Sequence, residues 1–501
     1  MPSPDGAPLA NPTTKSPASS IADGNKGHFR PNQVRLLIII QSSADAHSLE
    51  ESLDLGAAVA LMPPPRPVHQ RRWKANQGRG RVDMTDDRLN LAQSGVIPAR
   101  AKILIHGMNF APEPLGIGRY TAELAAYLMS QNQAVEVITS VPHYPGWKVH
   151  SPYRSGRYVV EQQDGIRVTR CPLVLHPSGR GIWRLIAPVT FAAAAAPVVL
   201  WRILRGRPDI VICIEPTLFS APAVIAGAKI VGARAILHVQ DLEIDAAFNV
   251  GHLKGYWLQK MAFAFERLML RRFKLIITIS DRMRKKIAEK GVPENTITVL
   301  RNWVNISTIK RIDGSNLFRA QLGLAPQDFV VLYSGQIGPK QALHLLLEAA
   351  LKCRDNSAIK FVVAGDGPTK QPLVETYGRE PNIHFLPVQP EHRLCELLNL
   401  ADLHVLTQDR GAVDLVLPSK LGGMLASGRR VLVMADPGTE LHNLLHGTAI
   451  IVPTGDVFAL ADAIKSASKQ RLDPPAQTAQ LLELFSSKTI LPDFHCAIRG
   501  S

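Results

Sequence analysis

"VLYSGQIGPKQALHLLLEAA", Val331 to Ala350, decides the fold. It opens with a short apolar run of the kind that fills a buried strand. It closes with leucines and alanines at helical spacing. Between them Gly335 and Gly338 flank a tight turn, and Lys340 stands where the helix begins. Strand, glycine turn and helix make half of a βαβ unit, and the unit recurs. "FVVLYSG", "IKFVVAGDG", "NIHFLP", "DLHVLT", "RVLVMA" and "AIIVPTG" read as strands, with "HLLLEAALKC" and "HRLCELLNLA" among the intervening helices. Upstream, "KILIH", "VEVIT", "DIVICI", "RAILHV" and "LIITIS" form a second set, closed by "ITVLRNWVN". Alternation of this kind predicts parallel sheets covered by helices on both faces. The fold class is therefore α/β. Two doubly wound, Rossmann-like domains are expected at 101–305 and 306–470, followed by a C-terminal tail over 471–501. Such sheets bind ligands at the carboxyl ends of their strands, here in the cleft between the domains.

Residues 1–100 look different. "MPSPDGAPLANPTTKSPASS" is low in complexity, and "MPPPRPVHQRRWKANQGRGR" would not fold alone. "VRLLIII" between them has no paired pattern after it. The region reads as a disordered extension or an over-long start, with Met84 as the alternative first residue. No signal-peptide pattern is present. The five cysteines, Cys171, Cys213, Cys353, Cys395 and Cys496, are far apart, so they suggest neither a zinc site nor a disulfide framework.

The 501 residues carry a formal net charge of +15, which favours an anionic partner: nucleic acid, a phosphorylated substrate or an acidic membrane surface. No basic-aromatic motif supports nucleic acid. "LIAPVTFAAAAAPVVLW", Leu185 to Trp201, lies between Arg184 and Arg202 and contains Pro188 and Pro197. It reads as a buried helix, or as an interfacial segment with its arginines facing anionic head groups. A membrane span fits it least.

Four stretches carry candidate chemistry. Backbone N–H groups after Gly335, with Lys340 nearby, suit an anion; a plain turn with a surface lysine is the bland alternative. "VVAGDGPTKQPL" places Gly365, Asp366 and Gly367 at a strand end facing the same cleft. In "DLVLPSKLGGMLASGRRVLVMA", Ser419 is expected to cap a helix and Lys420 to lie in its first turn. A lysine there opposes the helix dipole unless an anion is close. "LHVQDLEIDAAF" gathers His238, Gln240, Asp241, Glu243 and Asp245 past a strand end. Three signatures are missing: a P-loop, an Asp-x-Asp dyad and a Gly-x-Ser-x-Gly elbow. The loop "NFAPEPLGIGRYTAELAAYL" has Gly116 and Gly118 but lacks the third glycine of a dinucleotide fingerprint.

Taken together, "FAPEPLGIGRYTAELAAYL", "SVPHYPGW", "HVQDLEIDAAF", "LRNWVN", "YSGQIGPKQAL", "VAGDGPTKQPL" and "VLPSKLGGMLASGRRVLV" resemble the retaining family 4 glycosyltransferases of GT-B fold. The likeness spans Lys102 to Lys469 and is nearest to the branch of colanic acid and exopolysaccharide biosynthesis. It implies a nucleoside-diphosphate sugar held mainly by the second domain. Gly335 and Lys340 match the family's glycine and phosphate-binding lysine, and Gln336 stands where the family has arginine. Ser419 and Lys420 match the branch's Pro-Ser-Lys motif. The family's paired glutamates fall on Gly423 and near Asp414 or Leu415, so that pair is absent; Glu440 is the candidate substitute for ribose contact. The family's acceptor-side His-Asp corresponds to Gln240 and Asp241, so Asp241 is the first catalytic candidate and His238 the second. Gly116 and Gly118 would let backbone approach the diphosphate from the first domain, with Arg119 as a further cation.

The resemblance implies transfer of a hexose, with fucose as the branch's suggestion, to a polyprenyl-diphosphate-linked saccharide. Neither metal nor cofactor is expected. The location implied is cytoplasmic, on the inner face of the membrane. The alternatives are a nucleotide-sugar epimerase of the same fold and a catalytically weakened partner subunit.

Overall fold

The structure is a computed structural model. It describes residues 97–500 except 114–115, 145, 177–182, 217, 243, 245–255 and 413–416. All but the last four residues of the expected extension lie outside the described residues, as do Glu243, Asp245, Asp414 and Leu415.

Two sheets are present. The first has eight strands: β1 (Lys102–His106), β2 (Ala134–Ser140), β3 (Val159–Gln163), β4 (Ile166–Cys171), β5 (Ile210–Glu215), β6 (Arg234–Val239), β7 (Leu275–Thr278) and β8 (Ile297–Val299). Their order is β3-β4-β2-β1-β5-β6-β7-β8. The second has six: β9 (Phe329–Ser334), β10 (Ile359–Ala364), β11 (Ile383–Leu386), β12 (Leu403–Leu406), β13 (Arg430–Met434) and β14 (Ile450–Val452). Their order is β11-β10-β9-β12-β13-β14. Every expected strand run is a strand, and these pairs are parallel because helices carry the chain back across the sheets. The two domains are therefore doubly wound and Rossmann-like. In each, the order reverses beside the first strand, between β1 and β5 and between β9 and β12. These switch points open a crevice at the strand ends.

The hairpin β3–β4 is not in the expected set. It is the antiparallel edge of the first sheet, with Gln163 opposite Ile166. Asp164 and Gly165 turn it, both with positive φ, 50° and 80°. An Asp-Gly pair suits that turn, so the sequence carried the signal.

Leu185 to Trp201 lies within the helix Trp183–Gly206. Ala187, Phe191, Ala195, Val199 and Ile203 recur every fourth residue and are buried in the core beneath the sheet. That stripe behaves as a core helix does. The opposite face leaves Val189, Trp201 and Leu204 exposed. By length and composition Leu185–Gly206 is apolar enough to cross a membrane, but its buried stripe belongs to the domain core.

The expected tail over 471–501 contains two helices. Leu481, in the helix Gln477–Glu483, packs with Leu421 and Leu425 of the second domain. Val304 then pairs with Ser486, and the helix Ser487–Arg499 returns to the first domain. Ile490, Leu491, Phe494 and Ile498 complete the core around Leu124 and Leu128. Their spacing is helical, but Pro492 in the middle of the run hides it.

Candidate functional site

At the β9 switch point the chain leaves the sheet through Gly335, whose φ is 139°. The loop that follows rests on the Gly365–Gly367 turn. Gly335 N donates to Ala364 O at 2.9 Å and Ile337 N to Asp366 O at 2.8 Å. A Cβ on Gly365 would stand 1.8 Å from Gly335 O, and one on Gly367 would stand 2.2 Å from Ile337 O. These glycines therefore let two backbones touch. Asp366 accepts from Gly367 N and is otherwise turned to solvent. Gly365→Ala is expected to lower stability by about 2–4 kcal/mol, through strain and overpacking, and to displace the Gly335 loop. Thermal unfolding checks this; an unchanged melting temperature would refute the tight stacking.

Lys340 lies in the short turn Pro339–Gln341, with Ala342 separating it from the helix Leu343–Lys352. Its ammonium is 3.8 Å from the Asp241 carboxylate, just past the end of β6. Two residues expected on opposite walls of the cleft thus meet. Lys420 approaches from a third side. It is the N-terminal flank of the six-residue helix Leu421–Ala426, and Ser419 makes no cap bond there. The expected Ser419 cap is corrected: Lys420, not Ser419, is the residue that flanks the helix start, and no side chain caps it. The Lys420 ammonium donates to Tyr333 OH at 2.5 Å and lies 3.8 Å from the ring centroid. Tyr333 OH in turn donates to Gln336 O at 2.5 Å. A Cβ on Gly335 would stand 3.3 Å from Lys420 Nζ, so the lysine borders the glycine loop. Loss of water drives its pKa from the ordinary lysine value down to about 7. The sequence reading missed Tyr333 because it looks like any buried strand residue.

On the first domain, the loop after β1 is fixed by a buried carboxylate that the sequence reading also missed. Glu113 is 2% exposed. Its Oε1 accepts from His143 N at 2.9 Å and Tyr144 N at 3.0 Å, and its Oε2 accepts from Asn109 Nδ2 at 2.9 Å. Fully buried Arg170 donates to Ala111 O at 2.6 Å and to Glu161. Gly118 packs on Glu113, where a Cβ would meet Oε2 at 2.9 Å. Gly116 has φ 64°, and a Cβ there would stand 3.6 Å from the Tyr144 ring. Arg119 is held by Glu123 at 2.6 Å, and Trp303 Nε1 donates to the same carboxylate.

Two expectations are corrected. His238 is 1% exposed, and its ring packs edge-on to Phe494 of the returning helix, 5.1 Å away. Burial lowers its pKa to about 3, so it is a neutral core group that does not reach the cleft. Strand alternation sends it to the opposite face from that of its neighbours. Glu440 is likewise engaged: it accepts from Asp281 N at 3.1 Å and Arg282 N at 2.9 Å, the start of the helix Asp281–Glu289 in the first domain. A carboxylate at a helix N-terminus is favourable, and Arg301 lies 3.7 Å away. Glu440 ties the domains together, and both of its carboxylate oxygens are engaged in doing so. Gly423 faces Leu398 and Ile309, an apolar setting.

Residues 116–303 match the model of the glycosyl transferase 4-like domain, and residues 315–481 match that of glycosyl transferases group 1. WcaI of Escherichia coli (strain K12), described as a colanic acid biosynthesis glycosyl transferase, is 38% identical over 377 residues, 73% of this chain and 92% of that relative. The chain belongs to the family 4 glycosyltransferases. Solved structures agree on the GT-B fold. Sucrose-phosphate synthase of Thermosynechococcus elongatus superposes with a TM-score of 0.60 at 14% identity, covering 80% of this chain and 99% of that one. Anabaena HepE, solved with UDP and glucose, gives 0.58 at 16% identity, covering 80% and 100%. In this glycosyltransferase residues 304–314 lie between the two matches, where the chain passes from the first domain to the second.

Proposed function

We propose that this glycosyltransferase moves a hexose from a nucleoside-diphosphate sugar to a lipid-linked saccharide, with retention, in synthesis of an exopolysaccharide of the colanic acid type. The observation that carries the reading is the convergence of Lys340, Lys420 and the Gly335 loop opposite Asp241. Cleavage of the anomeric bond leaves negative charge on the diphosphate. The two ammonium groups supply the stabilisation, and closure of the domains around the donor would exclude water. The acceptor hydroxyl attacks the face that the diphosphate leaves, and its proton passes to a departing phosphate oxygen. Asp241 orients Lys340 and the acceptor. Solution of HepE with UDP-glucose supports a nucleotide sugar as donor, and the similarity to WcaI supports the polysaccharide class.

The test is a panel of nucleotide sugars, with membrane extract as acceptor source. Sugar transfer, with nucleotide released only when acceptor is added, is expected. Turnover of donor alone would point to an epimerase. Failure of every donor to bind would overturn the proposal and favour a partner subunit without turnover.

A further inference from the structure

The helices beneath the first sheet leave an apolar surface on their outer side. The helix Tyr256–Leu270 shows it best. Glu266 and Leu270 face the core and are buried. Trp257, Met261 and Leu268 are 72%, 70% and 49% exposed. At 3.6 residues per turn these three fall within about 40° of one another. Lys260, Arg267 and Arg271 run along the same exposed side, and the Lys260 ammonium sits 5.6 Å from the Trp257 ring centroid. A surface helix normally turns its polar face outward. Here apolar and cationic side chains share the exposed face, while the buried acid Glu266 is paired with Lys290 at 2.6 Å.

The surface continues beyond this helix. Phe219 stacks on Phe265 at 6.1 Å and is itself partly exposed. Its neighbour Leu218 lies in the core cluster that holds the buried stripe of the helix Trp183–Gly206, whose outer face shows Trp201 and Leu204. Between Tyr256 and Lys290 the chain has ten basic residues and three acidic ones. Exposed aromatic and aliphatic groups amid excess cations match the two layers of an anionic bilayer: acyl boundary for Trp257 and Met261, phosphate for the lysines and arginines.

We infer that this outer helical surface, centred on Trp257, Met261 and Leu268, docks the enzyme on an anionic lipid bilayer. The inference deepens the proposed function, whose acceptor is lipid-linked, but it concerns side chains other than those of the donor site. It also moves the membrane contact from Leu185–Trp201 alone to a layer in which that helix is one member.

The test is flotation of the full-length protein with vesicles of phosphatidylcholine alone, or mixed with phosphatidylglycerol. Binding to the anionic vesicles is expected to exceed binding to the neutral ones at least about tenfold, since each cation near the surface adds about 1 kcal/mol. Trp257→Glu with Met261→Glu, and separately Lys260→Glu with Arg267→Glu, should each reduce the anionic binding about tenfold or more. All four positions are exposed, and circular dichroism verifies that the variants are folded. Equal binding to both vesicle types, no binding, or full binding by both double variants overturns the inference. So does a wild-type dimer that Trp257→Glu dissociates, because a second copy then covers the face. Nucleotide-sugar binding without vesicles is measured in parallel. Its loss in the wild type defeats the transferase reading; its survival alongside failed docking defeats only this one.

Discussion

Lys420→Ala is expected to reduce turnover about 10²–10³-fold, the usual cost of removing one group that stabilises charge in the transition state. The melting temperature should change little by comparison, because the lysine is held by a single hydroxyl and one ring face. Tyr333→Phe keeps the ring but removes the hydroxyl that links Lys420 to Gln336 O. About a tenfold loss is expected, in line with a hydrogen bond to a charged group. The pH dependence follows from the same site. In the free protein Lys420 loses its proton near pH 7. A bound diphosphate favours the ammonium, so the complex takes up a proton above that pH. Donor affinity should be flat below pH about 7. Above it, affinity should fall about tenfold per unit until the lysine's pKa in the complex is reached. Calorimetry in buffers of different ionisation enthalpy would detect the proton. Affinity that rises with pH, or that stays flat across this range in the wild type, would sink the assignment.

Glu113→Ala should act mainly on stability. It removes a buried acceptor from two backbone N–H groups and the Asn109 amide. Each stranded donor costs about 1–3 kcal/mol, giving a total of about 3 kcal/mol or more. Because Glu113 joins the Gly116–Gly118 loop to the loop holding His143 and Tyr144, surviving activity should also fall. Glu113→Gln retains one acceptor oxygen and should lose about half as much stability. Denaturant unfolding of the three proteins measures the order. Equal stability of Glu113→Ala and the wild type would show that water takes over the carboxylate's bonds.

Much of this was legible because strands and βα turns are local. Residues from Val331 to Ala350 specify a buried strand, a glycine turn and an amphipathic helix without help from distant parts of the chain. The β3–β4 hairpin was legible too, through Asp164-Gly165, although alternation between apolar and polar residues is weak around it. Site residues fared according to what surrounds them. Gly335, Lys340, Lys420 and Asp241 announce themselves by type and place in a motif, and the fold brings them together. His238 shares a strand end with Asp241, but which face it lies on depends on the strand's pairing and on a helix that arrives some 250 residues later. Glu440 looks like a solvent carboxylate until the first domain supplies Asp281 N and Arg282 N. Glu113 and Tyr333 were invisible for the reverse reason: burial gives them their partners, and burial of a single polar side chain leaves no periodic trace.

The return of the helix Ser487–Arg499 to the first domain means that the first core is not built from one continuous piece of chain. Domains emerging from a ribosome usually fold as units, first to last. Here Phe494 and Ile498 are the last large pieces of the first core. Before residues 490–498 are made, Leu124 and Ile277 lack part of their cover. The second domain has its whole sheet from Phe329 to Val452, yet it too takes Leu481 and Phe485 from beyond that sheet. The two domains therefore complete their cores late and nearly together, when residues 481–498 are in place.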